Sequence, residues 1–280
     1  DQEALEAGAT DYLEKGALTP INLERAVRYA VRQQANQNRL ENLVQQVTRL
    51  EQMKTDMIRI AAHDLRNPLT VLNGYIEMLM GSDAISEEDA KFYLNQMHDS
   101  VHHMQRMVGD LLSLERIAEL SGGHTDPVEF SLLVEDSFNR LFSTDHDMSL
   151  HVPNEQVIVY GVAPLLREAV DNLISNAVKY TPANGTITAT LSADSDYAFF
   201  RVVDTGYGIP EDMQNDLFKP FYRAKSKETR KIPGTGLGLN LVQNIVARHN
   251  GTIHFLSEYG KGSEFGFLLP CFNDQLEGQS

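Results

Sequence analysis

The chain has 280 residues, 42% of them hydrophobic and 22% charged, a composition typical of globular domains with a sizeable core. Its net charge of −15, from 24 basic and 39 acidic residues, argues against nucleic acid as a main partner, because phosphate backbones are bound by basic faces. No apolar run approaches the roughly 20 residues that cross a bilayer, and no signal peptide is visible. With a single cysteine, Cys271, these features predict a cytoplasmic chain without membrane contact, and the start at Asp1 predicts an upstream segment.

Residues 1–33 are predicted to form a helix, a short strand (ATDYL), a loop and a second helix. From Leu23 to Ile60 the sequence contains no Gly or Pro, which predicts one long helix. Apolar residues recur along it at spacings of three and four: Leu40, Leu43, Val47, Leu50, Met53, Met57 and Ile60. This stripe is typical of a coiled coil, which either joins two subunits or also carries a signal along the helix.

The long helix is predicted to continue through AAHDLRNPLT (61–70) to about Met80. Pro68 deletes a backbone hydrogen bond there, at a cost of about 3 kcal/mol. Ser86 begins a capping sequence for a second helix that ends near Leu120. Two such helices form a hairpin that cannot bury both apolar stripes alone, which predicts pairing with a second copy into a dimeric four-helix bundle. SGGHTDP (121–127) is predicted to be a linker and a domain boundary.

The second half of the chain has a mixed α and β pattern. The predicted helices are 130–142, 163–180 and 237–250, and the predicted strands are 148–152, 157–161, 186–192, 197–204, 251–257 and 263–270. Strands and helices interleave without regular βαβ alternation, which favours an α+β two-layer sandwich.

Polar residues with recognisable chemistry occur on a helix of this half. Asn172 and Asn176 are four residues apart, so their amides share one helix face with Lys179 nearby. Amide oxygens are hard ligands that can hold Mg²⁺ beside a phosphate, and the lysine supplies a positive charge. Taken alone, the same residues would equally form a solvated polar face.

Two glycine-punctuated segments complete the set of candidate site motifs. Asp204-Thr-Gly206-Tyr-Gly208 follows a predicted strand, where a carboxylate can accept a hydrogen bond from an exocyclic amine such as that of adenine. Taken alone, it would also be a plain turn. Residues 234–239, GTGLGL, open a helix and bare backbone N–H groups that can bind an anion. The basic segment between them is predicted to be a lid that contains Lys225, Lys227, Arg230 and Lys231.

In this order the motifs resemble those of the sensor histidine kinases with a HisKA-type dimerisation and phosphotransfer domain. AAHDLRNPLT is similar to their H box, DNLISNAVKYTP to the N box, DTGYGIP to the first glycine box, LFKPFYR to the F box and GTGLGL to the second glycine box. The resemblance spans about residues 54–271. Residues 1–33 separately resemble the last strand and helix of a response-regulator receiver domain, with Lys15 at the position of a phosphate-contacting lysine.

The resemblance implies four segments. These are a receiver-like remnant at 1–33, a coiled-coil signalling helix at 34–53, a dimerisation and phosphotransfer domain at 54–121, and a Bergerat-type ATP-binding domain at 126–273. It also implies that the chain is a homodimer whose protein partner is a response regulator receiver domain.

The resemblance implies roles in the H box. His63 would accept the γ-phosphoryl group of ATP, with Asp64 as a hydrogen-bonding general base, and would pass the group to an aspartate of the regulator. Asn67 lies where the family keeps the Thr or Asn of a phosphatase motif. The alternatives are an ATPase of the same fold without histidine phosphorylation and a degenerate scaffold.

The resemblance also implies the residues that bind Mg·ATP. Asn176 would ligate Mg²⁺ with support from Asn172, and Asp204 would bind the adenine amine. Arg223 would lie near the γ-phosphate. The remaining nucleotide contacts would come from Lys179, Tyr180, Gly206, Gly208, Gly234, Gly236 and Gly238.

Overall fold

The computed structural model describes residues 19–81, 85–119, 126–224, 226–230 and 232–271. The receiver-like strand predicted at ATDYL and Lys15 lie outside the described residues, as do Lys225 and Lys231 of the basic segment. The chain divides into two units, 1–62 and 63–280.

The described part begins with two long helices, α1 (Pro20–Gly81) and α2 (Glu87–Glu119). Helix α1 continues through Pro68, as predicted. Helix α2 begins with the predicted cap: the backbone N–H of Asp89 donates to Oγ of Ser86 at 3.0 Å, and that hydroxyl donates to Asp89 Oδ2 at 2.6 Å. In the described parts of the chain, no helix is long and apolar enough to span a bilayer.

A mixed α and β domain follows the helices. Its elements are β1 (Asp126–Glu129), α3 (Phe130–Leu141), β2 (Asp147–His151), β3 (Ile158–Gly161), α4 (Ala163–Tyr180), β4 (Thr186–Ala193), β5 (Tyr197–Asp204), α5 (Glu211–Gln214), α6 (Gly238–Arg248), β6 (Thr252–Glu258) and β7 (Gly262–Pro270). Five strands form a sheet in the order β2-β4-β5-β7-β6, parallel only between β2 and β4. A separate antiparallel pair joins β1 and β3.

The core lies between the five-stranded sheet and helices α3, α4 and α6. Strands β4 and β5 alternate between buried and less buried residues, as a sheet with one covered face requires. Three fully buried rings, Phe130, Phe200 and Phe267, meet at its centre with centroids 5.6–6.4 Å apart. The predicted architecture, a helical hairpin followed by an α+β two-layer sandwich, is confirmed.

The linker prediction needs one correction. Asp126 and Pro127, assigned to the linker 121–127, belong to β1 and pair with Gly161 and Tyr160 of β3. Asp and Pro are poor strand formers, so local preference gave no signal for a strand whose pairing partners on β3 lie about 30 positions away.

Candidate active site

One pocket of the mixed domain collects most of the predicted nucleotide contacts. It lies beside α4, the segment after β5, the segment before α6, and α2. Its lining includes Asn172, Asn176, Lys179, Tyr180, Asp204, Gly208, Arg223, Gly234, Gly236 and Gly238. Motifs separated by more than 60 residues thus meet in one place, as a single binding site requires.

The amides of α4 present oxygen ligands to this pocket. The side-chain N–H₂ of Asn172 donates to the carbonyl of Glu168 at 2.9 Å, which leaves Oδ1 as its outward atom. A Cβ added to Gly238 would lie 2.5 Å from that Oδ1, so the glycine allows the amide and the start of α6 to approach. Among the described residues no group of three or more His, Cys, Asp or Glu side chains could hold a metal ion. The amide oxygens of Asn172 and Asn176 are hard donors of the kind that suits Mg²⁺ beside a nucleotide phosphate.

Three polar side chains converge on the first glycine of GTGLGL. A Cβ built on Gly234 would lie 3.8 Å from Arg223 Nε, 3.8 Å from the Tyr180 hydroxyl and 3.9 Å from Lys179 Nζ. Burial lowers the pKa of Lys179, and the neighbouring cations Arg106 and Arg223 lower it further. A group of crowded cations around a bare backbone is suited to bind an anion.

Asp204 ends β5 and is 8% exposed. Its carboxylate accepts a 2.8 Å hydrogen bond from the N–H of Gly206 and another from the backbone of Ser263. Burial raises the pKa of Asp204 to about 6, against the opposing effect of these two bonds. A buried, partly paired carboxylate can still accept a further hydrogen bond from a nitrogen donor in the pocket.

The glycines of the first glycine box make room for protein backbone. Gly206 does not line the pocket, and a Cβ on it would lie 2.5 Å from the Tyr180 carbonyl oxygen. Gly208 has φ +62°, and a Cβ there would lie 2.0 Å from the Glu258 carbonyl oxygen. These glycines therefore hold the segment after Asp204 against α4 and the β6–β7 turn.

The candidate phosphoacceptor lies on α1. His63 is exposed, and its Nδ1 is 2.9 Å from Oδ1 of Asp64. With Nδ1 protonated and donating to this carboxylate, Nε2 carries the lone pair. Asn67 and Asp64 line a groove that Arg223 and Gly234 of the mixed domain also line. These H-box residues thus share a groove with residues of the candidate ATP site, while His63 is not among the residues that line it.

Helix α2 contributes site residues that the motifs did not indicate. Arg106 and Asp110 line the nucleotide pocket, and Thr235 donates to Asp110 Oδ2 at 2.7 Å. His103 lines the groove beside Asp64, and its Nδ1 is buried without a hydrogen-bond partner. The only sequence signal was a carboxylate inside the apolar run MVGDLLSL of α2.

Known families match the helical hairpin and the mixed domain. Residues 53–120 match the His Kinase A (phospho-acceptor) domain, and residues 161–272 match the histidine kinase-, DNA gyrase B- and HSP90-like ATPase family. The second match supports ATP as the nucleotide of the pocket. The phosphate regulon sensor protein PhoR of Pseudomonas aeruginosa is 34% identical over 257 residues, which cover 88% of this chain and 57% of PhoR. The chain spans about half the length of the curated relatives that it matches.

Solved structures share the architecture. The Acinetobacter baumannii histidine kinase AdeS is 26% identical with a TM-score of 0.56, and the match covers 75% of this chain and 98% of AdeS. The histidine kinase ThkA, solved in complex with the response regulator protein TrrA, is 23% identical with a TM-score of 0.60 over 79% of this chain and 62% of ThkA, a similarity of fold alone. By its two family domains and its relatives, the chain belongs to the sensor histidine kinases.

Proposed function

We propose that the chain is a protein-histidine kinase that uses Mg·ATP to phosphorylate His63 and then passes the phosphoryl group to an aspartate of a response regulator. The observation that carries the proposal is the groove that Asp64 and Asn67 share with Arg223 and Gly234. The groove supports the proposal because Asp64 and Asn67, two H-box neighbours of His63, line it together with residues proposed to bind the terminal phosphate. Family membership and the Asp64–His63 contact support the same conclusion.

In the proposed reaction Nε2 of His63 attacks the γ-phosphorus, and the bond from that phosphorus to the bridging oxygen of ADP breaks. Asp64 holds the proton on Nδ1, which keeps Nε2 unprotonated for attack. Arg223 and Lys179 stabilise negative charge on the transferred group. The backbone N–H groups of residues 234–238 bind the other phosphates.

Mg²⁺ would be held by Asn176, with Asn172 in support, and would neutralise phosphate charge as a Lewis acid. Both amides line the pocket, and their oxygens are suitable donors for this ion. Asp204 would accept a hydrogen bond from the adenine amine, and Tyr180 would contact the nucleotide near Gly234.

The proposed assembly is a homodimer formed through the helical hairpin, with the response regulator as a further partner. Apolar side chains exposed on the hairpin support dimerisation: Leu69, Ile76, Met78, Met80, Leu94, Val101, Val108 and Leu112. The complex of ThkA with TrrA gives a precedent, at the level of fold, for binding a regulator. The segment boundaries 1–33, 34–53, 54–121 and 126–273, and a cytoplasmic location, stay predictions.

His63→Gln tests the proposal, because the acceptor and the nucleotide site use different residues. We expect the variant to take up no phosphate from γ-labelled ATP while its affinity for ATP stays within about twofold of wild type. Wild-type phosphate should resist alkali and be lost in acid, as expected for a phosphohistidine. Phosphate retained by the variant would move the acceptor elsewhere, and steady ATP hydrolysis without protein phosphorylation would favour an ATPase.

A further inference from the structure

Helix α2 places a carboxylate in the nucleotide pocket. Asp110 lines the pocket together with Arg106, four residues earlier and therefore on the same face of the helix. Oδ2 of Asp110 accepts a 2.7 Å hydrogen bond from Oγ1 of Thr235, the second residue of GTGLGL. The loop proposed to bind phosphate is therefore bonded to the phosphoacceptor hairpin.

Asp110 and the proposed phosphate site lie near some of the same cations. Burial raises the pKa of Asp110, whereas the hydrogen bond from Thr235 and the charges on Lys179 and Arg106 favour its ionised form. Among the described residues, Asp110 is in turn the anion that favours the charged form of Lys179, against burial and the charges of Arg106 and Arg223. A carboxylate next to these groups repels a triphosphate and competes with it for the same partners.

Further contacts hold Asp110 in this position. One turn beyond it, the hydroxyl of Ser113 hydrogen-bonds the carboxylate of Glu168 on α4. Ile117, one turn further, is buried in the core of the mixed domain. Docking of α2 therefore brings an apolar contact, a hydrogen bond and the Asp110 carboxylate to the pocket together.

We propose that Asp110 limits how tightly the nucleotide site binds the phosphates of ATP. Its carboxylate competes with the terminal phosphate for Thr235 and Lys179. The inference rests on the ATP-dependent function proposed above. Asp110 lowers the affinity for ATP and leaves the affinity for adenosine unchanged, because adenosine carries no phosphate. By thermodynamic linkage, bound ATP weakens the contact between α2 and the GTGLGL loop to the same extent.

Asp110→Asn removes the charge and keeps the shape of the side chain. We expect about tenfold tighter binding of a non-hydrolysable ATP analogue with Mg²⁺, measured by calorimetry at low salt, because one like charge is removed within the pocket. Adenosine affinity should stay within about twofold, which also shows that the variant is folded. Glu115→Gln removes a charge from an exposed position of the same helix and should change neither affinity.

Hydrogen exchange on the wild-type chain provides a second measurement. Amides of residues 106–113 should exchange faster with the ATP analogue bound than with adenosine bound. Equal or weaker analogue binding by Asp110→Asn, with adenosine binding intact, would overturn the role of Asp110 and leave the kinase proposal standing. A wild-type chain that binds neither ligand would overturn both.

Discussion

At the scale of the residue, Asp204 shows how burial prepares a side chain for one ligand. Its oxygens already accept hydrogen bonds from the backbone of Gly206 and Ser263. A third donor, such as an adenine amine, would leave the carboxylate surrounded by hydrogen-bond donors alone. An amide in its place would present its own N–H₂ to at least one of these donors. The site therefore requires a carboxylate and not merely a polar group of this size.

The raised pKa of Asp204 predicts a pH dependence of nucleotide binding. Because the pKa in the folded chain is about 6, above the ordinary value of 3.8, acid converts the acceptor into a carboxylic acid below pH 6. We expect ATP affinity to fall towards tenfold for each pH unit below 6, measured by calorimetry between pH 5 and 8. Because the pKa of Asp204 is higher in the folded chain than in the unfolded chain, its protonation stabilises the folded state. This stabilisation is fully present below pH 3.8 and is lost as pH rises through about 6.

Asp204→Asn provides the control, because ATP itself titrates in this range. At pH 7.5 the variant should bind ATP about tenfold or more weakly, as expected for a mispaired buried group at about 1–3 kcal/mol, with little change for GTP. Between pH 5 and 7 its affinity should follow the titration of ATP alone. Identical pH profiles for the two proteins would contradict the assigned role.

At the scale of the element, α2 presents two different faces. One face carries Met107 and Ile117, which are buried in the described part of the chain. Another carries Leu94, Val101 and Val108 at intervals of seven residues, and all three are exposed. These exposed apolar side chains at heptad spacing can be buried only against another molecule. This face is therefore suited to pack against a second copy of the chain.

Charges placed on the second face should separate the dimer. Burying a valine contributes about 1.5–3 kcal/mol, so Val101→Glu with Val108→Glu, present twice in a dimer, should raise the dissociation constant at least about a hundredfold. Analytical ultracentrifugation across a range of concentrations measures this. His98→Glu with His102→Glu adds the same charge outside the stripe and should leave the constant largely unchanged. Equal dissociation constants for the two double variants would exclude this face from the interface.

At the scale of the whole molecule, one groove is lined both by a residue proposed for the kinase reaction and by a residue proposed for the phosphatase reaction. Asn67 lies one helical turn after His63 and shares its groove with Arg223 of the ATP-binding domain. A response regulator whose aspartyl phosphate lay beside Asn67 in this groove would occupy space that Arg223 also lines. Kinase and phosphatase reactions are therefore expected to require different placements of the domain.

Asn67→Ala separates the two reactions. The amide of Asn67 is proposed to position a water for attack on the aspartyl phosphate of the regulator, which requires a donor and an acceptor but no charge. We expect autophosphorylation to stay within about twofold and regulator dephosphorylation to slow about tenfold or more, measured with purified phosphorylated regulator. Equal dephosphorylation rates would limit Asn67 to a structural role.

The sequence alone determined the elements and the family. The capping residues at Ser86, the alternation along β4 and β5 and the residues within each of the five motifs are local signals, because they depend on near neighbours in the chain. They predicted nearly every helix and strand, and they predicted candidate residues such as Asn176 and Asp204 that line one pocket.

Tertiary structure decided what depends on residues far apart in sequence. Strand β1 exists because it pairs with β3, and Asp110 meets Thr235 across 125 positions. The pKa of Asp204 is raised by burial, which only the packed domain produces. Gly206, predicted from the resemblance to contact the nucleotide, lies outside the pocket lining and makes room for the backbone of Tyr180, whereas Gly208 lines the pocket and also makes room for the backbone of Glu258. The closeness of two chain segments is a property of the fold and not of either motif.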